Sequence, residues 1–313
     1  MVLKFIQILC LLYCLAYLRF GSNSNKRLGI TFSHFRGYIL SKRNTMNKPT
    51  ESNACYTIKR GNSPLVATAI HSGHDVRQNI SNLFALAAEE RLREEDPYTD
   101  AWVVITDNQI IGHNSRFELD LNRPPEQAIY RKPEDAWGLH VWKEDFPEDL
   151  ARESMGRYDQ FYADVKQMLT QIQEQHGCFV VYDLHTYNHK REGANGPAAN
   201  PEENPEVNIG TGNMNREKWA PVIDAFTHSL SAYDYQGRHL DVRENVKFKG
   251  GYFMRWIHDT FGDKACVMSI EFKKFFMDEW TGEPDEAQVQ EIRKALEQTT
   301  EPVLEALAKV CQP

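Results

Sequence analysis

Residues 178–184, CFVVYDL, decide the fold class of this 313-residue chain. The run is apolar apart from Asp183, which is typical of a strand in a sheet that is covered on both faces. Apolar positions at helical spacing precede it in residues 158–175, and Gly177 separates that helix from the strand. A helix that leads directly into a doubly covered strand indicates an α/β protein.

The rest of the chain repeats this alternation. We predict further strands at residues 65–70, 102–106, 117–121 and 265–272, and further helices at residues 80–92, 217–230, 252–260 and 285–310. Residues 193–213 are rich in Gly, Pro and Asn, and they predict a functional loop because both flanks are core-like. The pattern predicts one domain of class α/β, built on a mixed, largely parallel sheet.

The composition excludes several classes of protein. The chain has 44 acidic and 36 basic residues and a net charge of −8, so we expect no nucleic-acid partner. Charged residues make up 26% of the sequence, which excludes a polytopic membrane protein. Cys178 and Cys266 lie in apolar runs and are expected to be small buried residues, with no disulfide framework.

The first 45 residues differ from the rest of the chain. They contain seven Lys or Arg and no acidic residue, and their apolar run at 5–18 is too short to span a bilayer comfortably. We predict that residues 1–45 are a disordered leader and residues 46–313 a single domain without a stable membrane span. A cytoplasmic protein that starts at Met46 is favoured. Export through residues 1–20 and a mitochondrial-type presequence are the alternatives.

Polar side chains suited to chemistry follow or end four of the predicted strands. They are His71 and His74 after the strand at 65–70, Asn122 and Arg123 after 117–121, His185 after 178–184, and Glu271 within 265–272. In α/β sheets ligands bind outside the carboxyl ends of strands, so we expect these side chains to share one site.

The histidines suggest a divalent metal ion. His71 and His74 are three residues apart, so both rings can converge on one cation from the turn that follows a strand. The alternative is that one caps the next helix and the other lies in the loop. His185 ends a buried strand, and Asp183 on the same face would fix its ring by a hydrogen bond. Three protein ligands and an open fourth position are typical of hydrolytic zinc sites.

Glu271 and Arg123 fit two further tasks of a hydrolytic site. A carboxylate in an apolar strand is costly unless it is paired or used, so Glu271 is either a general base or the partner of Lys273 or Lys274. Arg123 precedes two prolines that stiffen its backbone, and its guanidinium can hold a carboxylate with two parallel bonds. A surface ion pair is the alternative for Arg123.

Two further arginines are candidates for substrate binding. Arg255 lies one turn into a predicted helix that follows a Lys-Gly-Gly sequence at 249–251, where the backbone can approach an anion closely. It either holds a second carboxylate or is solvated at the start of the helix. Arg116 is a candidate of the same kind.

Six segments together resemble the N-formylglutamate amidohydrolase family. They are AIHSGHD at 69–75, FELDLNRPP at 117–125, VYDLHTYNH at 181–189, NIGTGN at 208–213, FKGGYFMRW at 248–256 and SIEFKK at 269–274. The family is related to the zinc carboxypeptidases, and DLNR, DLHTY and SIEF resemble segments of that larger group.

The resemblance implies a three-layer α/β/α fold like that of the zinc carboxypeptidases, and one zinc ion per chain. It implies His71 and His185 as metal ligands, and His74 is the predicted third ligand. Carboxypeptidases have glutamate at the position of His74, so another residue such as Asp75 or Glu118 stays open as the third ligand.

The resemblance also implies a reaction. Glu271 is expected to be the general base, and Asn122 and Arg123 are expected to bind the carboxylate of a small anionic substrate. The predicted function is metal-dependent cleavage of the C–N bond of an N-acyl amino acid, with N-formyl-L-glutamate as the family's reference substrate. A zinc carboxypeptidase or cell-wall peptide amidase, and a non-catalytic ligand-binding protein on the same scaffold, are the alternatives.

Overall fold

A mixed sheet of seven strands forms the centre of the computed structural model, which describes residues 55–311. The strands are β1 (Tyr56–Lys59), β2 (Leu65–Ala69), β3 (Asn108–Gly112), β4 (Phe179–Tyr187), β5 (Val207–Gly210), β6 (Val242–Glu244) and β7 (Ala265–Lys273). Their order across the sheet is β1-β3-β2-β4-β7-β5-β6. Strands β3, β2, β4 and β7 are parallel, whereas β1 is antiparallel to β3 and β5 is antiparallel to β7.

Six α-helices accompany these strands in the part of the chain that the structure describes. They are α1 (Gln78–Ser81), α2 (Ala88–Glu94), α3 (Glu148–His176), α4 (Arg216–Ala232), α5 (Tyr252–Phe261) and α6 (Glu286–Val310). Among residues 55–311, no helix combines the length and the apolar character needed to cross a membrane. The predicted leader and its boundary at Met46 lie outside the described residues.

Alternate side chains of β4 enter two different cores. Val180 and Tyr182 pack in a core that includes Trp219 of α4 and Leu296 of α6. Val181, which lies between them, packs in a second core with residues of α3 and α5. Because helices cover both faces of the sheet, the fold has three layers, and the predicted α/β class with a mixed sheet is confirmed.

The predicted strand at residues 102–106 is wrong, because this run contains a 3₁₀ helix at Val103–Ile105. Trp102 is fully buried, and its indole N–H donates to the carbonyl of Val289 on α6 at 3.0 Å. The apolar run therefore enters the core without joining the sheet, and the neighbouring strand is β3, a few residues later.

The predicted strand at residues 117–121 is also wrong, since this segment lies in a turn and irregular chain outside the sheet. Its three apolar residues are buried, but the intervening Glu118 and Asp120 are buried as well. Alternation indicates a strand when the polar face meets solvent, whereas here both polar side chains are paired inside the protein.

Two other segments differ from the prediction in detail. The predicted helix at residues 80–92 is divided into α1 and α2, because the backbone of Leu83 and Ala85 bonds to that of Lys143 and Val141. The predicted loop at residues 193–213 contains β5, which is only four residues long.

Cys178 and Cys311 form a disulfide bond, with their Cα atoms 6.1 Å apart. The bond links the residue before β4 to the residue after α6, which are 133 positions apart in the sequence. The expectation that Cys178 is only a small buried residue was therefore wrong, because its partner is distant in the chain. Cys266 is buried and free.

His258 in the last turn of α5 is 8% exposed. Its Nε2 accepts a hydrogen bond from the backbone N–H of Val267 on β7 at 3.2 Å, which requires that this nitrogen is unprotonated. Burial lowers the pKa of His258 from 6.5 to about 4. The fold therefore holds this histidine in its neutral form at neutral pH.

We expect His258 to make the protein less stable as the pH falls below 6.5. Between its unfolded and folded pKa values the unfolded chain binds a proton that the folded protein does not, so acid favours unfolding. From pH 7 to pH 5 the free energy of unfolding should fall by about 2 kcal/mol through this group. Urea unfolding at both pH values measures this change. In His258→Gln the fall in the free energy of unfolding from pH 7 to pH 5 should be smaller than in the wild type by that amount. An equal pH dependence in the variant and the wild type would contradict this role.

Candidate functional site

The carboxyl ends of β2, β4 and β7 lie side by side, because these three strands are parallel and adjacent. His71 follows β2 by two residues, and His185 on β4 is the register partner of Glu271 on β7. The ring centroids of His71 and His185 are 5.1 Å apart. The structure therefore brings these three predicted site residues to one edge of the sheet.

Asp96 lies between the two histidines. Its Oδ2 is 2.9 Å from Nδ1 of His185 and 3.4 Å from Nδ1 of His71. Its Oδ1 accepts a hydrogen bond from the Thr186 hydroxyl at 2.8 Å, and its backbone N–H donates to the His71 carbonyl at 2.9 Å. One donor atom from each of His71, Asp96 and His185 lies within 4.8 Å of the others, and all three residues are buried.

Further carboxylates lie against both rings. Nε2 of His71 is 2.7 Å from Oδ1 of Asp120. Nε2 of His185 is 3.1 Å from Oδ2 of Asp183, and the other oxygen of Asp183 accepts a hydrogen bond from the Thr68 hydroxyl at 2.6 Å. Carboxylates beside imidazoles set the orientation and the tautomer of histidine ligands in metal sites.

The buried charges of this group shift one another's pKa values. Burial by itself would lower the pKa of His185, but Asp183 and Asp96 raise it well above its usual value. Burial would likewise raise the pKa of Asp96, but its contacts with His185 and His71 hold that pKa below its usual range. His185 and Asp96 therefore stabilise each other's charged forms.

The donor set fits a divalent metal ion. Two imidazoles and one carboxylate form a known ligand set of catalytic zinc sites, which keep a further position open. Nδ1 of His71 and Nε2 of His185 are buried and have no hydrogen-bond partner among the described residues. These two nitrogens lie 3.4 Å from Oδ2 of Asp96 and 3.1 Å from Oδ2 of Asp183 without hydrogen bonding to them, and a cation would satisfy the nitrogens and the carboxylates together.

His74 is not a member of this group, whose third residue is Asp96. Nδ1 of His74 is 2.6 Å from Oε2 of the buried Glu95, and the His74 side chain is 39% exposed. The hydrogen bond to Glu95 raises the pKa of His74. Of the two alternatives, Asp75 is exposed and Glu118 is engaged in an ion pair, so neither joins the group.

Glu271 is the acidic residue that β7 adds to the site. It lines the same cavity as the two histidines, and its Oε1 accepts a hydrogen bond from the Ser269 hydroxyl at 3.2 Å. Burial raises the pKa of Glu271 to about 7. A carboxylate in this position can both accept and donate a proton near neutral pH.

Lys274, one of the two predicted alternative partners of Glu271, has a different role. Its side chain is buried, and Nζ donates to the carbonyls of Arg93 at 2.5 Å and Glu95 at 2.8 Å. Burial lowers the pKa of Lys274 to about 8. The lysine holds the end of α2 in place, directly before Asp96.

Asp120 connects His71 to two of the predicted arginines. Its Oδ2 accepts hydrogen bonds from Nη2 of Arg116 at 2.8 Å and from the Tyr130 hydroxyl. Nε of Arg123 is 3.9 Å from the same oxygen. Burial by itself would raise the pKa of Asp120, but Arg116 and His71 hold it well below its usual value.

Asn122 links this turn to the start of α5. Its side-chain oxygen accepts a hydrogen bond from the backbone N–H of Phe253 at 2.8 Å. A Cβ atom on Gly251 would lie 2.3 Å from that oxygen, so a larger residue there would displace the Asn122 side chain. The close approach brings α5 to the edge of the cavity.

A cavity of about 590 Å³ lies over these residues. The predicted substrate-binding residues Arg116, Asn122, Arg123 and Arg255 line it, and His74 does not. Its charged lining is Arg116, Arg123, Arg191, Lys247, Lys249, Arg255 and Lys274 on the basic side, and Glu94, Asp96 and Glu271 on the acidic side. The cavity is thus basic in a chain of net charge −8, which favours an anionic ligand.

The family model of the N-formylglutamate amidohydrolases matches residues 63–276, a range that contains the His71–Asp96–His185 group and every residue that lines the cavity. The chain belongs to this family. The resemblance read from the sequence motifs is confirmed. Comparison with curated protein sequences gives no match.

Two solved structures share the fold. An N-formylglutamate amidohydrolase from Ralstonia eutropha has a TM-score of 0.64 and 18% identity, over 82% of this chain and 99% of that one. A gene product from Agrobacterium tumefaciens has a TM-score of 0.59 and 19% identity, over 83% of this chain and 97% of that one. Likeness at this level of identity shows a common architecture.

Two acidic residues of the site were missed by sequence reasoning. Asp96 ends an acidic run after a helix, and such a run is typical of a solvated helix end. Asp120 stands in the segment at 117–121, where it resembles the polar face of a strand. The available signal was the DLNR motif, which includes Asp120.

We expect Asp96→Asn to weaken the affinity for added Zn²⁺, used as the probe for this candidate site, by more than about 100-fold, because it removes a charged donor from between two imidazoles. His74→Gln is the matched comparison, and it should change that affinity by less than about threefold, since the hydrogen bond of the His74 ring within residues 55–311 is to Glu95 and not to a member of the group. Competition of each purified protein with a chelator measures both affinities. A larger loss in the His74 variant than in the Asp96 variant would restore His74 as the third ligand.

Proposed function

We propose that this protein is a zinc-dependent amidohydrolase that cleaves the C–N bond of an N-acyl amino acid, with N-formyl-L-glutamate as the reference substrate. The observation that carries the proposal is the buried His71–Asp96–His185 group, which lines a basic cavity together with Glu271. Membership of the family supports the reaction class, and the donor set supports the metal.

His71, Asp96 and His185 would hold the zinc ion. When bound, zinc lowers the pKa of a water molecule and polarises the acyl carbonyl of the substrate. Asp120 and Asp183 contact the two imidazoles and keep them oriented.

Glu271 is the general base in this proposal. Its carboxylate accepts a proton from the water that attacks the acyl carbon, and it returns the proton to the amine nitrogen as the C–N bond breaks. The products are the free acid of the acyl group and the amino acid. Support for this role comes from the register of β4 and β7, which sets Glu271 opposite His185.

The arginines near Asp120 would bind the substrate's carboxylate. Asp120 is one negative charge in contact with Arg116 and His71 and close to Arg123. Arg116, Arg123 and Asp120 together therefore carry a net positive charge, which a ligand carboxylate would neutralise. Arg255, on the same cavity, is placed for a second carboxylate.

We expect Glu271→Gln to keep its zinc and to lose at least about 100-fold in kcat, which is the usual contribution of an acid–base group. Glu305→Gln, on an exposed position of α6, is the matched control and should have wild-type kinetics. Metal analysis and steady-state kinetics on N-formyl-L-glutamate measure both effects. A Glu271 variant with near-native kcat would remove this residue from the mechanism.

We expect Arg123→Lys to raise KM about 10- to 100-fold for carboxylate substrates, because an ammonium group cannot reproduce two parallel hydrogen bonds. Arg60→Lys, on the exposed end of the sheet where Arg60 bonds to Gln167, should leave KM unchanged. Initial rates over a range of substrate concentrations decide the question. An unchanged KM in the Arg123 variant would show that the carboxylate is held elsewhere.

A panel of substrates separates this function from its alternatives. Release of glutamate from N-formyl-L-glutamate supports the proposal. Release of C-terminal residues from peptides, without action on N-acyl amino acids, would favour a carboxypeptidase or a cell-wall amidase. Zinc binding with no turnover on any of these compounds would favour a non-catalytic ligand-binding protein.

A further inference from the structure

Trp137 stands at the mouth of the cavity in an unusual conformation. Its side chain lines the cavity, and the residue is 55% exposed. Its backbone is left-handed, with φ 55° and ψ 27°, in the region that glycine adopts easily and bulky residues rarely adopt. The ring has an edge contact with Tyr130, at 6.2 Å between ring centroids, but more than half of the residue is exposed, so packing does not explain the strained backbone.

The turn around Trp137 fixes this backbone conformation. The Asp135 carboxylate accepts hydrogen bonds from the backbone N–H groups of Arg131 and Lys132. The N–H of Gly138 donates to the carbonyl of Pro133 at 2.7 Å, which closes the turn over Trp137. The backbone N–H of Trp137 also donates to the Pro133 carbonyl, so the turn is held by backbone bonds and by Asp135, and the indole side chain makes none of them.

The indole ring lies beside both arginines that flank Asp120. The guanidinium carbon of Arg116 is 5.0 Å from the ring centroid, and that of Arg123 is 5.9 Å away. The two guanidiniums carry the same charge and repel each other. Asp120 bonds directly to Arg116, but Nε of Arg123 is 3.9 Å from it, so Asp120 holds Arg123 less firmly.

We propose that Trp137 is a positioning residue that holds the guanidiniums of Arg116 and Arg123 toward the cavity, where together they receive the substrate's carboxylate. The proposal rests on the proposed function for the identity of the substrate. A cation over an aromatic face is attracted by the ring quadrupole. This contact occupies the face of a guanidinium and leaves the N–H groups at its edge for a carboxylate.

Substitutions at Trp137 can separate a role in ligand binding from a role in stability. Trp137→Gly removes the ring and its edge contact with Tyr130 but relieves the left-handed backbone, so the variant should melt close to the wild-type temperature. Its affinity for a carboxylate ligand should nevertheless fall about two- to 30-fold. Trp137→Phe keeps an aromatic face and should retain most of the affinity.

The experiment measures binding and turnover separately. Calorimetry gives Kd for N-acetyl-L-glutamate and for its uncharged diamide, and kinetics on N-formyl-L-glutamate give KM and kcat. We expect Trp137→Gly to raise Kd and KM for the acids, to change kcat by less than about twofold, and to leave diamide binding unaffected. Trp280→Gly is the matched control, because Trp280 is also exposed and stacks on Arg93 but does not line the cavity.

Three results would overturn the proposal: an unchanged Kd in Trp137→Gly, an equal loss in Trp137→Phe, or an equal loss of diamide binding. Failure of the proposed function has a different signature. If the wild type binds N-acetyl-L-glutamate but hydrolyses neither it nor N-formyl-L-glutamate, and Trp137→Gly weakens that binding selectively, the role of Trp137 stands and the reaction is wrong.

Discussion

The hydrogen bond from the backbone N–H of Asp96 to the carbonyl of His71 is the contact on which the site depends. Parallel pairing of β2 with β4 already sets His71 near His185, but the two imidazoles alone form no charged centre. The backbone bond joins the chain after α2 to the chain after β2 and brings the Asp96 carboxylate between both rings. Lys274, directly after β7, strengthens this junction, because it donates to the carbonyls at the end of α2.

Buried charge explains the rest of the architecture around the site. An ionised side chain that leaves water must be paired, and Asp96, Asp120 and Asp183 each contact at least one imidazole or guanidinium. Asp120 serves two functions, since it orients His71 on one side and bonds to Arg116 on the other. In this way an acidic protein builds a basic cavity, with the excess positive charge at the surface that a ligand meets.

The sequence predicted the central strands because their physical signal is local. Strands β2, β4 and β7 are continuous apolar runs, which a sheet covered on both faces requires. The two wrong strand predictions fall on segments that are buried without belonging to the sheet. The runs at 102–106 and 117–121 are buried by contacts with distant residues, and their polar positions are satisfied inside the protein. No periodicity in a short window can distinguish such burial from that of a strand.

The sequence by itself determined the α/β class, the family, and the chemical types of His71, His185 and Glu271 at strand ends. These features depend on patterns within a few residues and on short sequence motifs. Only the tertiary structure decided that Asp96 joins the histidines, that His74 pairs with Glu95, and that Cys178 meets Cys311. Each of these contacts is set by the packing of segments that are remote in sequence, and the geometry of that packing has no local signature in the chain.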